Sequence, residues 1–443
     1  MKSSELQSNS ITFMLRALRY RNYRLFFSGQ IVSLIGTWIT SIATSWLVYR
    51  LTGSALLLGI VGFAGQLPAF LLSPFAGLVV DRRNKHKILI VTQILSMLQS
   101  FALAVLMFGH WITIPWLLVL CALQGLVNAF DMPCRHAFVV EMIEKREDLG
   151  NAIALNSSMF NAARLIGPAI GGVLIAAVGE GWCFFVDGVS YLAVIVALLA
   201  MVLKVKAPLK YTGASTMSQL KEGLKYAWGS KPIRSLLILI AAVSFLGVPY
   251  MVLMPVFAGD ILKGGPHTLG FLTTASGAGA LIGALWLASR RSVLGLGRII
   301  AFATATFGTG LIAFSFSRSL WPALAFLVLS GLGFMIQSAS TNTILQTIVE
   351  DDKRGRVMSL FIMAFIGTAP FGSLLAGTMS HKIGAPHTLF ISGLCCLCGA
   401  FWFYKQLPEI REAIRPIYKT LGIIPEVMTG IETVSELSLP PEE

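Results

Sequence analysis

Charge is what this sequence has least of. Only 12% of its 443 residues are Asp, Glu, Lys or Arg, against roughly 25% in an ordinary soluble domain. A soluble chain of this length could not cover its surface with so few polar groups. With 55% hydrophobic residues and a mean hydropathy of +0.76, the reading that remains is that lipid is the solvent over much of the surface. Catalytic signatures are missing as well. There is no G-x-x-x-x-G-K-[ST] nucleotide loop and no His/Asp/Ser cluster on a soluble segment, which argues against an ATP-driven or enzymatic chain. The six cysteines are Cys121, Cys134, Cys183, Cys395, Cys396 and Cys398. They fall in or beside apolar runs, and the last three lack His or carboxylate partners at ligand spacing. They read as small buried hydrophobes, so no metal and no cofactor is expected. No cleavable signal peptide is expected, because the first apolar run is long enough to span.

What is present is a series of apolar runs. Each spanning helix needs ~20 apolar residues, and candidates lie near 24–50, 55–80, 88–109, 113–133, 152–178 and 182–203. A second set lies near 234–259, 267–289, 298–317, 321–345, 357–380 and 386–404. The run at 267–289 is rich in Gly, Ala and Ser, the residues that let membrane helices pack closely. The expected fold is all-α and integral to a membrane, with twelve helices in two six-helix bundles. The expected organisation is an N-terminal cytoplasmic segment (1–23), a first bundle (24–204), a cytoplasmic linker (205–233), a second bundle (234–404) and a cytoplasmic tail (405–443).

The net charge of +13 reads as topology rather than as nucleic-acid binding. Of the 34 Lys and Arg, only Arg50, Lys263, Arg318 and Lys382 fall in loops on one side, and Arg164 falls within a span. The rest lie on the other side. By the positive-inside rule both termini are cytoplasmic, in a plasma or bacterial inner membrane. In the linker, Met217, Leu220, Leu224 and Trp228 recur at helical spacing among Lys221, Glu222 and Lys225, the pattern of an amphipathic helix on the inner surface. After Leu407 the tail turns polar, and disorder is expected in its last fifteen or so residues.

Two stretches share one build: "VVEMIEKREDLGNAIALNSSMFNAARLIGPAIGG" and "TIVEDDKRGRVMSLFIMAFIGTAPFGSLLAG". Each is a charged loop, a helix that begins polar, a Gly-Pro or Ala-Pro step, then glycines. Similar halves joined by a linker point to a pseudo-symmetric transporter with its site at mid-membrane.

The loop "GLVVDRRNKHK" resembles the major facilitator superfamily signature G-x-x-x-D-R-x-G-R-K. Gly77, Asp81, Arg82 and Lys85 match, and Asn84 replaces a glycine. In that family the loop governs the inside gate; a solvated basic loop is the other reading. "GPAIGG" resembles the family's fifth-helix antiporter motif through Gly167, Pro168, Gly171 and Gly172, with Ala163 where an earlier glycine is common. In the family this motif belongs mainly to exporters; a kinked packing helix is the other reading. "LRYRNYRLFFSGQIVSLIGTWI", "RGRVMSLFIMAFIGTAPFGSLLAG" and "LPEIR" are similar to the branch with the enterobactin exporter and macrolide-efflux-type permeases. The resemblance covers roughly residues 15–410 and implies efflux.

Arg164 stands mid-span in "NAARLIGPAIGG", where a charge costs at least ~2.5–3.5 kcal/mol. Either it faces a central cavity and holds an anionic substrate group, or it is a strut paired with Asp131, Asp187 or carbonyls. Further cavity candidates are Gln30, Trp38, Gln66, Gln124, Asn128, Tyr250, Gln337 and Asn342. No carboxylate occurs in the first helix, where many proton-coupled exporters of the superfamily carry one. That leaves Asp187, then Asp131, as candidate proton carriers. Pro249 and Pro255 are expected to break the seventh helix beside a cavity. The expected function is secondary active export of a small amphipathic or anionic compound, siderophore- or drug-like, by a monomer with H+ as the candidate coupling ion. An importer or lipid flippase is the alternative, then a channel or membrane enzyme.

Overall fold

In lipid, every backbone N–H and C=O must be paired within the protein, and a chain of short apolar runs meets that demand as helices. The computed structural model describes residues 15–202, 216–290 and 292–420. Among them no strand occurs, and twelve helices are long and apolar enough to cross a bilayer. The first six are α1 (Arg21–Thr52), α2 (Ala55–Arg82), α3 (Lys85–Phe108), α4 (Ile114–Met142), α5 (Leu149–Val178) and α6 (Glu180–Leu199). The short α7 (Thr216–Gly229) follows. The second six are α8 (Lys231–Ile261), α9 (Pro266–Ala288), α10 (Leu296–Phe316), α11 (Leu320–Ile348), α12 (Asp352–Ile383) and α13 (Ala385–Thr420).

The two sixes pack alike. In the first, α1 lies against α5 and α6, α2 against α4, and α3 against α4 and α6. In the second, α8 lies against α12 and α13, α9 against α11, and α10 against α11 and α13. The tightest turn of each half also matches. Gly179 joins α5 to α6 at φ 88°, and Gly384 joins α12 to α13 at φ 85°, a left-handed conformation that side chains resist.

Several helices depart from the sequence windows. α4 runs on through Pro133 to Met142, and its extra turns bury Phe138, Val139 and Met142. α13 continues to Thr420 and buries Leu407, Ile410, Ile414 and Tyr418. Hydropathy falls where polar residues begin, but a helix persists while one face still has a core to meet. The tail residues expected to be disordered lie outside the described residues. α8 is interrupted at Pro249, as expected: a π turn at Val243–Gly247 gives way to turn residues 248–249 before the helix resumes at Tyr250. Pro255 is carried inside the helix, ahead of a second π turn at Phe257–Ile261. α12 has a similar interruption at residues 366–368, ahead of Ala369 and Pro370.

The halves meet along two equivalent seams, α5 on α9 and α2 on α12. Glycine makes both possible. A Cβ on Gly172 would lie 3.0 Å from the Gly270 Cα, and one on Gly59 would lie 3.0 Å from the Gly377 Cα. These glycines lie toward the face away from the basic loops. There the Tyr49 hydroxyl also donates to Asp260 Oδ1 across the halves (2.6 Å), and α8 and α9 touch α1. Toward the basic face the seam parts. Ser157, Ser158 and Phe160 of α5 are exposed there, and serines on a spanning helix call for water rather than lipid. The glycine contacts and the Tyr49–Asp260 bond between the halves gather on the face away from the basic loops.

Candidate functional site

Arg164 sits at the point where the α5–α9 seam begins. Its carbonyl oxygen lies 3.1 Å from where a Gly277 Cβ would be, and Thr274 Oγ1 donates to the next carbonyl, Leu165 O (3.2 Å). The side chain is half-buried, and its Nε is enclosed by protein yet bonded to nothing. Neither carboxylate named above serves it. Asp131 is buried and paired with Arg135, and it also accepts from Thr92 Oγ1 (2.9 Å) and Gln93 Nε2 (2.8 Å). Asp187 is 1% exposed and accepts from Ser100 Oγ (2.8 Å). Both lie among helices of the first half, and the other Asp187 oxygen has no partner. An arginine in a membrane interior with an unsatisfied donor is costly to hold, and its Nε is free to donate to an incoming acceptor.

Around Arg164 the structure gathers part of the expected set. Gly167 and Gly171 let α1 approach. Cβ atoms there would lie 3.1 Å from the Ile35 carbonyl and 3.1 Å from the Ile39 Cα. Trp38 of α1 thereby meets Phe160 edge to face, with centroids 6.1 Å apart. Pro168 is buried inside α5, and its carbonyl abuts Gly270. From the second half, the Tyr250 hydroxyl bonds Ser276 Oγ at 2.5 Å and lies within electrostatic reach of Arg164. The group can hold an anion on Arg164, flanked by the Trp38 and Phe160 rings and the Tyr250–Ser276 pair.

Other candidates go elsewhere. Gln124 Nε2 donates to Ser96 Oγ (3.1 Å) and Asn128 Oδ1 (3.2 Å), a network between α3 and α4. Gln66 Nε2 turns back to its own helix at Gly62 O (3.3 Å). Gln346 donates to Asn342 (3.0 Å). Gln30 is buried in α1, and Gln337 is fully buried in α11 with its Oε1 unpaired. In the loop motif, Gly77 lies inside α2, and Lys85 Nζ donates to Glu141 at the end of α4 (2.8 Å). Asn84, standing where the signature has glycine, caps α3 by accepting from Lys87 N (3.1 Å). The side chains of Asp81 and Arg82 lie outside the described residues.

Sequence reasoning missed Ser276, Phe160 and the Tyr49–Asp260 bridge. The signal for the first was the small-residue composition of α9. Gly270 and Gly277 face α5, while Gly279 and Gly283 face α11, so this small-residue helix is a spacer between two seams. In the linker, Gly223 packs on Arg356, Glu222 pairs with Arg356, and Lys353 lies 4.7 Å over the Tyr226 ring. Leu224 and Trp228 are exposed, and the Met217 and Leu220 side chains lie outside the described residues.

The family described as transmembrane secretion effector is matched over residues 13–421. Among curated relatives, the staphyloferrin A transporter of Staphylococcus aureus is 29% identical over 385 residues, covering 86% of this chain and 95% of the relative. The multidrug efflux pump Tap of Mycolicibacterium fortuitum is 28% identical over 385 residues, covering 85% and 93%. Macrolide efflux protein A of Streptococcus pyogenes is 23% identical over 410 residues, covering 89% and 98%. Among solved structures, a bacterial homologue of the human lysosomal transporter Spinster, inward-facing and unoccupied, superposes with a TM-score of 0.69 at 15% identity, covering 89% and 98%. A POT family transporter superposes at 0.70 and 10% identity, covering 88% and 96%.

Proposed function

Because the chain belongs to the transmembrane secretion effector family of the major facilitator superfamily, we propose that this transporter exports a small anionic or amphipathic compound. The cargo would be siderophore- or drug-like, bound on Arg164 between the halves. The observation that carries this reading is the enclosed, unpartnered Nε of Arg164 in α5, where α5 meets α9 of the other half. A family of transporters whose relatives carry a siderophore name, a multidrug name and a macrolide name supports cargo of this chemistry. The basic face is placed in the cytoplasm by the positive-inside rule. Cargo then enters from the cytoplasm, the halves rock about the site, and release follows on the far side.

For coupling, a proton gradient is the proposed drive, with Asp187 ahead of Asp131. Asp187 has an oxygen without a partner, whereas the Arg135 guanidinium already holds Asp131. The bundles at 24–204 and 234–404 would act as the two moving bodies of one monomer, the linker tethering them.

The test uses everted vesicles energised by a proton gradient, with siderophores, macrolides and cationic dyes as cargo. Accumulation should collapse with an uncoupler. Arg164→Ala should abolish uptake of anionic cargo and Arg164→Lys should keep part of it, since Lys retains the charge but not the fork geometry. Full transport of anionic cargo by Arg164→Ala would reduce Arg164 to a packing element.

A further inference from the structure

A cavity of about 360 Å³ lies away from Arg164, at the basic face of the second half. It is bounded by the start of α10, the end of α11 and the last turns of α13. Its walls are apolar and buried, among them Leu236, Leu296, Phe403, Leu407 and Ile410. Its rim is not: Arg298, Arg411 and Arg415 line it and are exposed, and no Asp or Glu does. Of the two carboxylates on this stretch of α13, Glu409 is paired with Lys231, and Glu412 is absent from the lining.

Among the described residues, three cations therefore line an apolar hollow whose lining includes no acidic residue. Arg411 and Arg415 share one helix face at i and i+4, an arrangement that repels itself unless an anion intervenes. Arg298 adds a third charge from the first turn of α10, whose N-cap, Gly295, offers no side-chain acceptor.

Depth decides what the anion is attached to. α13 has 36 residues, roughly 54 Å at 1.5 Å per residue, and the hydrocarbon core is only ~30 Å thick. Exposed Phe401 and Tyr404, with Lys405 lying 4.6 Å over the Phe401 ring, mark where the helix leaves the apolar layer. Arg411 and Arg415 follow two and three turns on, roughly 10 and 16 Å along the axis, so they span the headgroup layer and its water edge. Arginines there, above an apolar wall that a chain can lie along, match a lipid phosphate and its acyl chain together.

We propose that this cavity binds an anionic phospholipid from the leaflet on the basic side, its phosphate held by Arg298, Arg411 and Arg415. A free phosphate would leave the apolar wall unused. The other acid within reach in sequence is this chain's own end, where Glu426, Glu432 and Glu436 follow Thr420.

The test is native mass spectrometry of the full-length protein released from micelles holding phosphatidylglycerol and phosphatidylcholine in equal amounts. Phosphatidylglycerol should be retained selectively. Each Arg→Gln change should reduce retention about fivefold, so Arg298→Gln, Arg411→Gln and Arg415→Gln together should nearly abolish it. The same three positions as Lys should keep most of it, which separates lost charge from lost fold. Unchanged retention in the triple Gln variant would overturn the proposal. So would displacement of the lipid by excess inorganic phosphate, which would assign the site to a small anion. Retention that emerges only when Glu426, Glu432 and Glu436 are changed to Gln would overturn it too, by making the tail the occupant.

Discussion

Gly172 offers the sharpest test of how the two halves work. A methyl group there would lie 2.7 Å from the Pro266 carbonyl oxygen, 3.0 Å from the Gly270 Cα and 3.1 Å from the His267 Cα. All three are backbone atoms of α9, so no rotamer change relieves the contact. Either the seam opens by several tenths of an ångström or the halves part. Overpacking of this kind costs about 1–3 kcal/mol, and it is charged only to the state in which this face is closed. Gly→Ala also favours a helix by about 0.5–1 kcal/mol, but equally in every state where α5 is helical. Gly172→Ala should therefore shift the population toward the opposite opening by about 5–150-fold. Gly150→Ala, on the same helix with nothing within 4 Å, supplies the control. It carries the propensity gain without the clash. Spin-label distances between Lys87 and Ser359 on the basic face should shorten in Gly172→Ala, and those between Leu51 and Lys382 should lengthen. Identical distance distributions for the two variants would refute the claim that glycine contact at this seam sets the closed state.

Three further outcomes follow from named contacts. Tyr49→Phe removes the donor to Asp260 that bridges the halves (2.6 Å). Being exposed, the bond is worth no more than about 1 kcal/mol, so the face away from the basic loops should open up to about fivefold more often, read as labelling of a cysteine placed at Ala55, which is buried against Gly377 at the seam. Asp148 holds the segment before α1 through Arg16 (3.1 Å), Arg19 (2.5 Å) and Tyr20 (2.6 Å). The Tyr20 hydroxyl first, then Arg19 and Arg16, keeps its carboxyl below the usual range. A depressed carboxylate contributes stability above its unfolded value, near ~3.9, and loses it as pH falls through the folded value. The protection factor against hydrogen exchange at residues 16–20, relative to the unfolded chain at the same pH, should thus be flat from neutral pH to about 4 and fall below it, while Asp148→Asn should be weakly protected throughout; a fall already at pH 6 would contradict this. Asp187→Asn should leave binding of cargo intact but uncouple transport from the gradient, and unaltered gradient-driven accumulation would remove Asp187 from the coupling step.

Much of the architecture is legible in the sequence because it depends on local quantities. The length of an apolar run predicts a span, and the side on which Lys and Arg cluster gives the expected sense of insertion. The cost of a mid-span charge singles out Arg164. Even the repeat is readable, since Gly179 and Gly384 end equivalent helices. What the sequence cannot decide is which way each polar residue faces. Gln124 and Asn128 read as cavity residues, and the structure joins them to Ser96 of α3 while leaving Gln124 Oε1 without a partner. Asp131 and Asp187 read as partners for Arg164, yet each finds its own hydrogen bonds within the first half. The bridge from Tyr49 to Asp260 joins residues 211 positions apart, and the arginine-rimmed cavity combines α10 with the far end of α13. A helix can rotate about its axis without changing its hydropathy. Its facing is therefore settled only when the small residues of α5, α9, α2 and α12 lock two helix surfaces together, and that locking is a property of the packed pair rather than of either strand of sequence.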